Sequence, residues 1–405
     1  MPILLHTADW QLGMKAAHAG PAAAAVRDAR MAAARAVVAA ARDHGAVAIL
    51  VTGDTFEDNG VDRALVRRAA DILGDAAPIP VFIIPGNHDP LVPGSVWEHP
   101  AWAEHPNITV IRHARPMPLP VLGFTLYPCP LSAKHSPDDP TAWIAAAPAA
   151  PADAPLRVGL AHGTVTGGAL DGDLDYPIAR DTAERLGLDY LALGHWHSTA
   201  TFPARPGAPE RLAYSGTHET TKFGEPRSGH AMLVQLTAPG APPRLTAVPT
   251  GTLRWIDMKA TLAGIDDVAA ARRAADAVPD PARALLRVAA EGTLDPDAAE
   301  AWTTFREAAE SRFLMARFDD DALAPVPGGG DPAADAGARA AWLAALPPGA
   351  PRDVAAKLMD AAAAARTAED ATAADTANAA LRLLLTLARR AGAGAGAGTG
   401  AGVPA

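Results

Sequence analysis

Apolar runs alternate with helix-like segments over roughly the first ninety residues of the chain. Short apolar runs predict buried strands at 3–5, 47–51 and 79–84. Between them, apolar residues recur at helical spacing from about residue 22 to 44 and from about residue 62 to 73. This order of strand, loop and helix predicts parallel strands that are joined by crossover helices.

Further apolar runs continue the pattern of strands to about residue 250. The additional predicted strands lie at 108–111, 124–127, 156–161, 188–193, 211–216, 230–236 and 244–248. Short connections join the last three of them, and short connections favour antiparallel pairing. The first part of the chain is therefore predicted to be an α/β domain that covers residues 1–251.

The character of the sequence changes near Gly251. Strand-like runs then alternate with helical patterns, which predicts a small second domain over residues 252–318. Alanine-rich sequence follows at 319–390 and is predicted to be helical. The alternating Ala-Gly tract at 391–405 carries too little apolar surface to order itself, so it is predicted to be disordered.

Polar side chains able to bind a metal follow several of the predicted strands. In open α/β sheets, binding sites lie beyond the carboxyl ends of the strands. A turn residue is the ordinary interpretation of any one of these side chains, but independent turns would rarely repeat the same strand-then-ligand pattern. The side chains that share this position are Asp9, Gln11, Asp54, Asn87, His162, His195 and His197.

The chemical types in this set indicate a particular kind of metal centre. Carboxylate, amide oxygen and imidazole are ligands for divalent manganese, iron or zinc. Two such ions about 3.5–4 Å apart can activate a water molecule and hold the oxygens of a phosphodiester. Asp54, at the second of three successive strand ends, is the natural bridging carboxylate. His88 could then protonate the leaving oxygen, with Asp89 orienting its ring.

Composition and charge narrow the class of protein. The formal net charge of −10 argues against non-specific coating of DNA or anionic membranes, although it allows a local basic groove. The single cysteine, Cys129, excludes an internal disulfide and a cysteine-based zinc site. The short first apolar run is broken by His6 and Asp9, unlike a secretory signal. We therefore expect a cytoplasmic protein without membrane association.

Several sequence motifs resemble those of a known family. HTADWQLG, GDTFEDN, GNHD, the AHG at 161–163 and GHWH resemble, in order, the motifs of calcineurin-like metallophosphoesterases. Together with YSGTHETTKFGE at 214–225, they look like the SbcD-type DNA repair exonucleases. The resemblance covers about Met1–Gly251.

The resemblance implies a four-layer fold, in which two β-sheets are flanked by helices, followed by a small α+β capping domain. The alanine-rich helical tail after about Phe318 matches nothing in the family pattern. The resemblance also implies two divalent ions, usually manganese, with His88 as the catalytic acid. One ion would be bound by Asp9, Gln11, Asp54 and His197, and the other by Asp54, Asn87, His162 and His195. The implied partners are DNA and an SbcC-type ATPase, and a homodimer stays open.

The sequence departs from the family pattern at two positions. Gln11 stands where the first motif usually has histidine, so it is either a weaker ligand or a group that holds a ligand water. His218 stands where the family more often has proline, and a loop role is favoured over contact with substrate. A DNA exonuclease or endonuclease is the first functional hypothesis. The alternatives are an esterase for small phosphodiesters or phosphomonoesters, and a non-catalytic scaffold for an ATPase.

Overall fold

The computed structural model describes residues 1–167, 175–327 and 332–397. The chain divides into two compact units, Met1–Arg254 and Trp255–Ala405. The predicted end of the first domain, at residue 251, lies three residues before this division. Within the described residues, no helix combines the length and the apolar character that crossing a membrane would require.

The first unit contains two six-stranded sheets. Its strands are β1 (Ile3–Thr7), β2 (Ala48–Thr52), β3 (Val81–Ile84), β4 (Ile108–Val110), β5 (Met117–Leu119), β6 (Phe124–Pro128), β7 (Leu156–His162), β8 (Val165–Thr166), β9 (Ile178–Ala179), β10 (Tyr190–Gly194), β11 (Ala200–Phe202), β12 (Leu212–Tyr214), β13 (His230–Gln235) and β14 (Arg244–Pro249). One sheet has the order β14-β13-β1-β2-β3-β4 and the other β11-β12-β10-β7-β6-β5. Strands β8 and β9 pair separately.

Helices connect these strands. The α-helices are α1 (Ala23–Asp43), α2 (Arg63–Gly74), α3 (Ala101–Glu104) and α4 (Thr182–Arg185), and the 3₁₀ helices are Ala17–Ala22, Val96–Glu98, Pro120–Leu122 and Ala142–Ala146. Asp62 caps the start of α2, because its side chain accepts a hydrogen bond of 2.7 Å from the backbone of Ala64. The helices α1 and α2 begin and end within about a residue of their predicted bounds.

The pairing of strands confirms most of the predicted topology. β1, β2 and β3 are parallel neighbours, as the crossover pattern predicts, and β4 pairs parallel to β3. β13 and β14 pair antiparallel, also as predicted. The prediction for 211–216 was only partly right, since β12 is antiparallel to β11 but parallel to β10. The intervening strand β11 reverses the chain direction, so β12 returns in the direction of β10.

The apolar side chains of the first unit form layers that follow the alternation within each strand. Leu4 lies between the two sheets, in a cluster with Phe124 and Val158 of the second sheet. The next residue, Leu5, points to the opposite face and packs in the cluster that includes Val37 of α1. A further cluster covers the outer face of the second sheet. The two sheets flanked by helices confirm the predicted architecture.

The second unit has its own sheet and core. Its strands are β15 (Arg254–Leu262), β16 (Ala284–Leu294) and β17 (Met315–Pro325), and its helices are α5 (Ile265–Asp276), α6 (Pro296–Arg312), α7 (Ala336–Ala344), α8 (Ala350–Thr367) and α9 (Ala371–Ala397), with a 3₁₀ helix at Pro281–Arg283. One apolar cluster joins the sheet to α5 and α6, and another involves α7, α8 and α9.

The second unit differs from the sequence prediction near residue 318. Residues 319–325 are predicted to be helical, but they continue β17, which pairs parallel to β16. Pairing with a neighbouring strand overrides the helical propensity of the alanines here. Helix α9 also continues to Ala397, into the tract at 391–405 that is predicted to be disordered, and residues 398–405 lie outside the described residues.

Candidate metal centre

The predicted ligands lie where the carboxyl ends of strands from both sheets come together. Asp9 and Asp54 follow β1 and β2, which are parallel neighbours. In the other sheet, His162 is the last residue of β7, and it is paired with Gly194, which directly precedes His195. Because the two sheets are packed face to face, these strand ends can supply one common site.

Three of the predicted ligands are in direct contact around the ring of His162. Its Nε2 lies 2.8 Å from Asn87 Oδ1 and 3.3 Å from Asp54 Oδ2. Its Nδ1 donates a hydrogen bond of 2.9 Å to the carbonyl of Thr52, which fixes the orientation of the ring. All three side chains are buried. Nε2 is therefore the nitrogen that faces the candidate centre.

Two further predicted ligands complete this group. The backbone N–H of His195 donates to Asp9 Oδ1 over 2.9 Å, and His195 Nδ1 lies 3.4 Å from Asn87 Oδ1. One potential ligand atom from each of Asp9, Asp54 and His162 lies within 4.8 Å of the others. The structure thus brings together five side chains from separate segments of the chain.

The backbone at the site adopts conformations that residues other than glycine rarely adopt. Asp9, Gln11, Asp54 and His195 have φ angles of 54°, 41°, 51° and 110°. Such conformations cost of the order of 1–3 kcal/mol each and concentrate at functional sites. Asp54 is also confined by Gly86, where an added Cβ would lie 2.2 Å from Asp54 Oδ1. The carboxylates are therefore held in place by the fold.

The electrostatics of the group are dominated by burial and by opposite charges. Burial raises the pKa of Asp9 to about 6, although the charge of His162 opposes the shift. Burial would also raise the pKa of Asp54, but the charge and hydrogen bond of His162 lower it to about 2. The same ion pair raises the pKa of His162 to about 9 against the effect of burial. The buried negative charge thus attracts a cation.

His197 and the backbone of Gln11 lie beside this group. His197 Nδ1 lies 2.7 Å from Glu225 Oε1, so its Nε2 is the nitrogen available to a metal. Burial lowers the pKa of His197, but the hydrogen bond to Glu225 and the charge of Asp9 raise it above its usual value. Gln11 is 8% exposed, and its backbone N–H donates to the carbonyl of Asp54.

Comparison with known proteins agrees with this geometry. Residues 3–199 match the model of the calcineurin-like phosphoesterase family. These residues, just under half of the chain, therefore resemble a calcineurin-like metallophosphoesterase domain. The uncharacterized metallophosphoesterase YhaO of Bacillus subtilis (strain 168) is 28% identical over 215 residues, which are 49% of this chain and 47% of that protein. The chain thus spans about half the length of this curated relative.

A solved structure, described as TT1561 of Thermus thermophilus, is also similar. It is 13% identical, with a TM-score of 0.39, and the similarity covers 62% of this chain and 99% of the other. A TM-score this low adds nothing to the assignment, which depends on the family match and on the site.

Metallophosphoesterases bind divalent metal ions, and the residues of this chain fit such ions. Asp9 Oδ2 is buried and has no hydrogen-bond partner among the described residues. A buried carboxylate oxygen without a partner is costly, and a cation would remove this cost. The donor set of carboxylate, amide and imidazole is also the set that borderline divalent ions prefer.

His88 lies beside the candidate ligands, but its ring is held by a group other than the predicted one. The backbone N–H of His88 donates to Asp54 Oδ1 over 2.9 Å, which places His88 beside the candidate metal centre. The prediction that Asp89 orients the His88 ring was wrong. Nδ1 of His88 instead donates to the carbonyl of Glu57 over 2.9 Å.

Asp89 supports the loop that contains Asn87. It is fully buried, and its two oxygens accept backbone hydrogen bonds of 2.9 Å from Phe56 and 2.7 Å from Gly86. Burial and the charge of Asp54 raise the pKa of Asp89 to about 7. Its role is thus to connect the loops after β2 and β3.

The sequence analysis missed Arg30, which is buried in α1. Its guanidinium donates to the carbonyls of Asp9, at 3.2 Å, and Glu219, at 2.8 Å, and also to the carbonyl of Trp10. Arg30 therefore joins the loop after β1 to the loop after β12. The signal in the sequence was an arginine on the apolar face of α1, four residues after the buried Val26.

Glu225 and His218 belong to the 214–225 segment that the resemblance singled out. Glu225 contacts His197, a role that the sequence analysis did not assign. His218 is fully buried and stacks on Trp10, with ring centroids 5.0 Å apart. Its Nε2 lies 2.9 Å from the carbonyl of Arg30. These contacts support the loop role that was favoured for His218.

Proposed function

We propose that this protein is a metallophosphoesterase that acts as a metal-dependent DNA nuclease. It would hydrolyse phosphodiester bonds with two divalent ions, and the proposed metal is Mn²⁺. The observation that carries the proposal is the buried group formed by Asp9, Asp54 and His162. Within it, Asp54 is the central carboxylate, since Oδ2 faces His162 and Oδ1 accepts from the backbone of His88.

The division of ligands follows the position of Asp54. Asp9, Gln11, Asp54 and His197 would hold one ion, and Asp54, Asn87, His162 and His195 would hold the other. When bound, such ions supply Lewis acidity toward the phosphate and lower the pKa of water. The protein residues contribute fixed positions, because the buried carboxylates and imidazoles need little reorganisation.

His88 is the proposed acid. Its Nδ1–H is held by the carbonyl of Glu57, so Nε2 is the ring atom that would carry a proton to the leaving oxygen. His88 is half-buried, whereas Asn87 and Asp89 on either side are buried. This leaves His88 accessible to a substrate at the edge of the site.

A DNA substrate is supported by the motifs that resemble SbcD-type nucleases and by the second unit that follows the metallophosphoesterase domain. The same resemblance supports an SbcC-type ATPase as partner and a cytoplasmic location. The principal alternative is an esterase that acts on a small ester and not on DNA. Such an esterase would need the same metal centre.

An assay on two substrates tests the proposal. Purified full-length protein is incubated with Mn²⁺ and either end-labelled linear DNA, duplex or single-stranded, or bis(p-nitrophenyl) phosphate. We expect Mn²⁺-dependent hydrolysis of DNA that is abolished in Asp54→Asn. Hydrolysis of the small ester alone would favour the small-substrate esterase. Metal binding without hydrolysis of either substrate would favour the scaffold hypothesis.

A further inference from the structure

Trp196 differs from the other tryptophans of the chain. It lies between His195 and His197 in sequence, and its side chain is 42% exposed. Among the described residues, no other tryptophan is as exposed to solvent. Tryptophan has a large apolar surface, so an indole that is left accessible at the edge of an active site indicates contact with a ligand.

The indole lines a pocket beside the metal centre. The pocket has a volume of about 280 Å³ and is formed by two segments, 195–198 and 222–225. Lys222 lies on the second segment and is exposed. The pocket therefore offers an aromatic face and a positive charge next to two of the proposed metal ligands.

The two walls of the pocket are fixed to each other by Glu225. Its Oε1 lies 2.7 Å from His197 Nδ1, and its Oε2 accepts a backbone hydrogen bond of 2.8 Å from Thr221. Oε2 also accepts from the backbone of Lys222 at 3.3 Å. Glu225 thus joins the 195–198 segment to the 222–225 segment.

We propose that Trp196 and Lys222 form a nucleotide subsite for the strand whose phosphodiester enters the metal centre. The indole stacks on a nucleobase, and the ammonium group of Lys222 contacts a phosphate of the same strand. This inference rests on the proposed nuclease function. It adds that a base next to the cleaved bond contributes to binding, and that single-stranded or unpaired DNA is the form bound there.

The chemistry of the pocket favours a nucleotide over a simple phosphate ester. A phosphate alone would use Lys222 but would leave the indole in water. Stacking tolerates every base, because each base has a π-face, so the subsite is expected to bind without sequence preference. The pocket thus predicts dependence on the presence of a base and independence of its identity.

Trp196→Ala and Trp196→Phe test the stacking. Binding to the full-length protein is measured by fluorescence anisotropy in EDTA, with a labelled single-stranded oligonucleotide and with the same strand made abasic throughout. We expect Trp196→Ala to weaken binding of the normal strand about 5- to 100-fold. Trp196→Phe is expected to retain most of the affinity for the normal strand. Trp196→Ala is expected to change the affinity for the abasic strand far less than the affinity for the normal strand.

Matched variants control this experiment. Val121→Ala removes another exposed apolar side chain of the first unit, 97% exposed, and is expected to leave binding unchanged. Far-UV circular dichroism and thermal unfolding of Trp196→Ala show whether it is folded. Equal loss of affinity for the normal and the abasic strands, or no loss for either, would overturn the stacking.

Lys222→Ala tests the phosphate contact. We expect this variant to bind the normal and the abasic strands more weakly, by the same factor. The steepness of log affinity against log salt concentration should fall by about 0.7, the value for one phosphate contact on a single strand. Lys134→Ala, at an exposed lysine of the first unit outside the pocket, is the control. An unchanged slope would overturn the contact.

The two proposals fail in different ways. If the native protein does not hydrolyse DNA with Mn²⁺, the nuclease function is wrong, whatever the variants do. If it hydrolyses DNA and Trp196→Ala has the same KM and affinity as the native protein, the nuclease function stands and the subsite is wrong.

Discussion

At the scale of single residues, the site depends on a few side chains with several partners each. Asp54 lies 3.3 Å from the ring of His162 and accepts from the backbone of His88. Its charge lies within a buried group that contains another carboxylate, Asp9. His162 is the cation that pairs with Asp54 in the absence of a metal, since this ion pair raises the pKa of its ring to about 9.

Asp54→Asn is predicted to remove metal from both proposed ion sites. The amide keeps the shape and can still accept from His88, but it loses the charge that a bridging ligand supplies. Elemental analysis and isothermal titration with Mn²⁺ measure the effect. Asp43→Asn, at an exposed position at the end of α1, is the control. A count of two ions per chain in Asp54→Asn would refute the bridging role.

His88→Gln is predicted to separate metal binding from turnover. It removes the proposed acid but none of the proposed ligands, so metal content stays at the native level. Turnover falls by about 100- to 10,000-fold, the usual contribution of general acid–base catalysis. His113→Gln, at an exposed histidine, should leave both unchanged. Native turnover in His88→Gln would show that another group donates the proton.

At the scale of elements, the site depends on connections between loops that follow different strands. Asp89 connects the loops after β2 and β3 through two backbone hydrogen bonds. Arg30, from α1, connects the loops after β1 and β12. The pKa of Arg30 falls to about 10, chiefly because it is buried, so the guanidinium is charged at neutral pH. It neutralises partial negative charge on carbonyls that would otherwise be buried together.

Arg30→Met is predicted to destabilise the first unit by about 2–4 kcal/mol, because the buried carbonyls of Asp9 and Glu219 lose a charged donor. Urea unfolding measures the free energy, and Mn²⁺ titration measures the accompanying loss of affinity at the Asp9 site. Arg27→Met lies on the same helix and removes one exposed hydrogen bond to Lys15. We expect its effect to stay within about 0.5 kcal/mol. A similar loss in both variants would remove the special role of Arg30.

At the scale of the whole molecule, all the proposed ligands lie in the unit Met1–Arg254. That unit has a core between its sheets and further apolar clusters on their outer faces. A compact unit with its own core can fold by itself. The alanine-rich helices and the three-stranded sheet belong to the other unit. We propose that this other unit binds the partner ATPase and the DNA end.

Residues 1–254 alone are predicted to be soluble, to bind Mn²⁺ like the full chain, and to hydrolyse bis(p-nitrophenyl) phosphate. Calorimetric unfolding and metal titration of the fragment check this. The full-length protein and its Asp54→Asn variant are the references. An insoluble fragment, or a folded fragment without metal affinity, would show that the site requires the second unit.

The sequence by itself determined the parallel strands of the first sheet and the side chains that follow them. Both depend on local order, since apolar runs predict strands and a residue after a strand lies at the edge of its sheet. Asp9, Asp54 and His162 could therefore be assigned to one site before their distances were known. The family motifs added the division of ligands, which stays a prediction.

Only the tertiary structure decided which groups support these residues. The contact of Glu225 with His197, the carbonyl of Glu57 on the ring of His88, and the buried guanidinium of Arg30 join segments that are distant in sequence. Hydrophobic periodicity has no information on such pairs, because it reports which face of an element is buried and not what that face meets. The strand at 319–325 was missed for the same reason: its partner, β16, lies elsewhere in the chain.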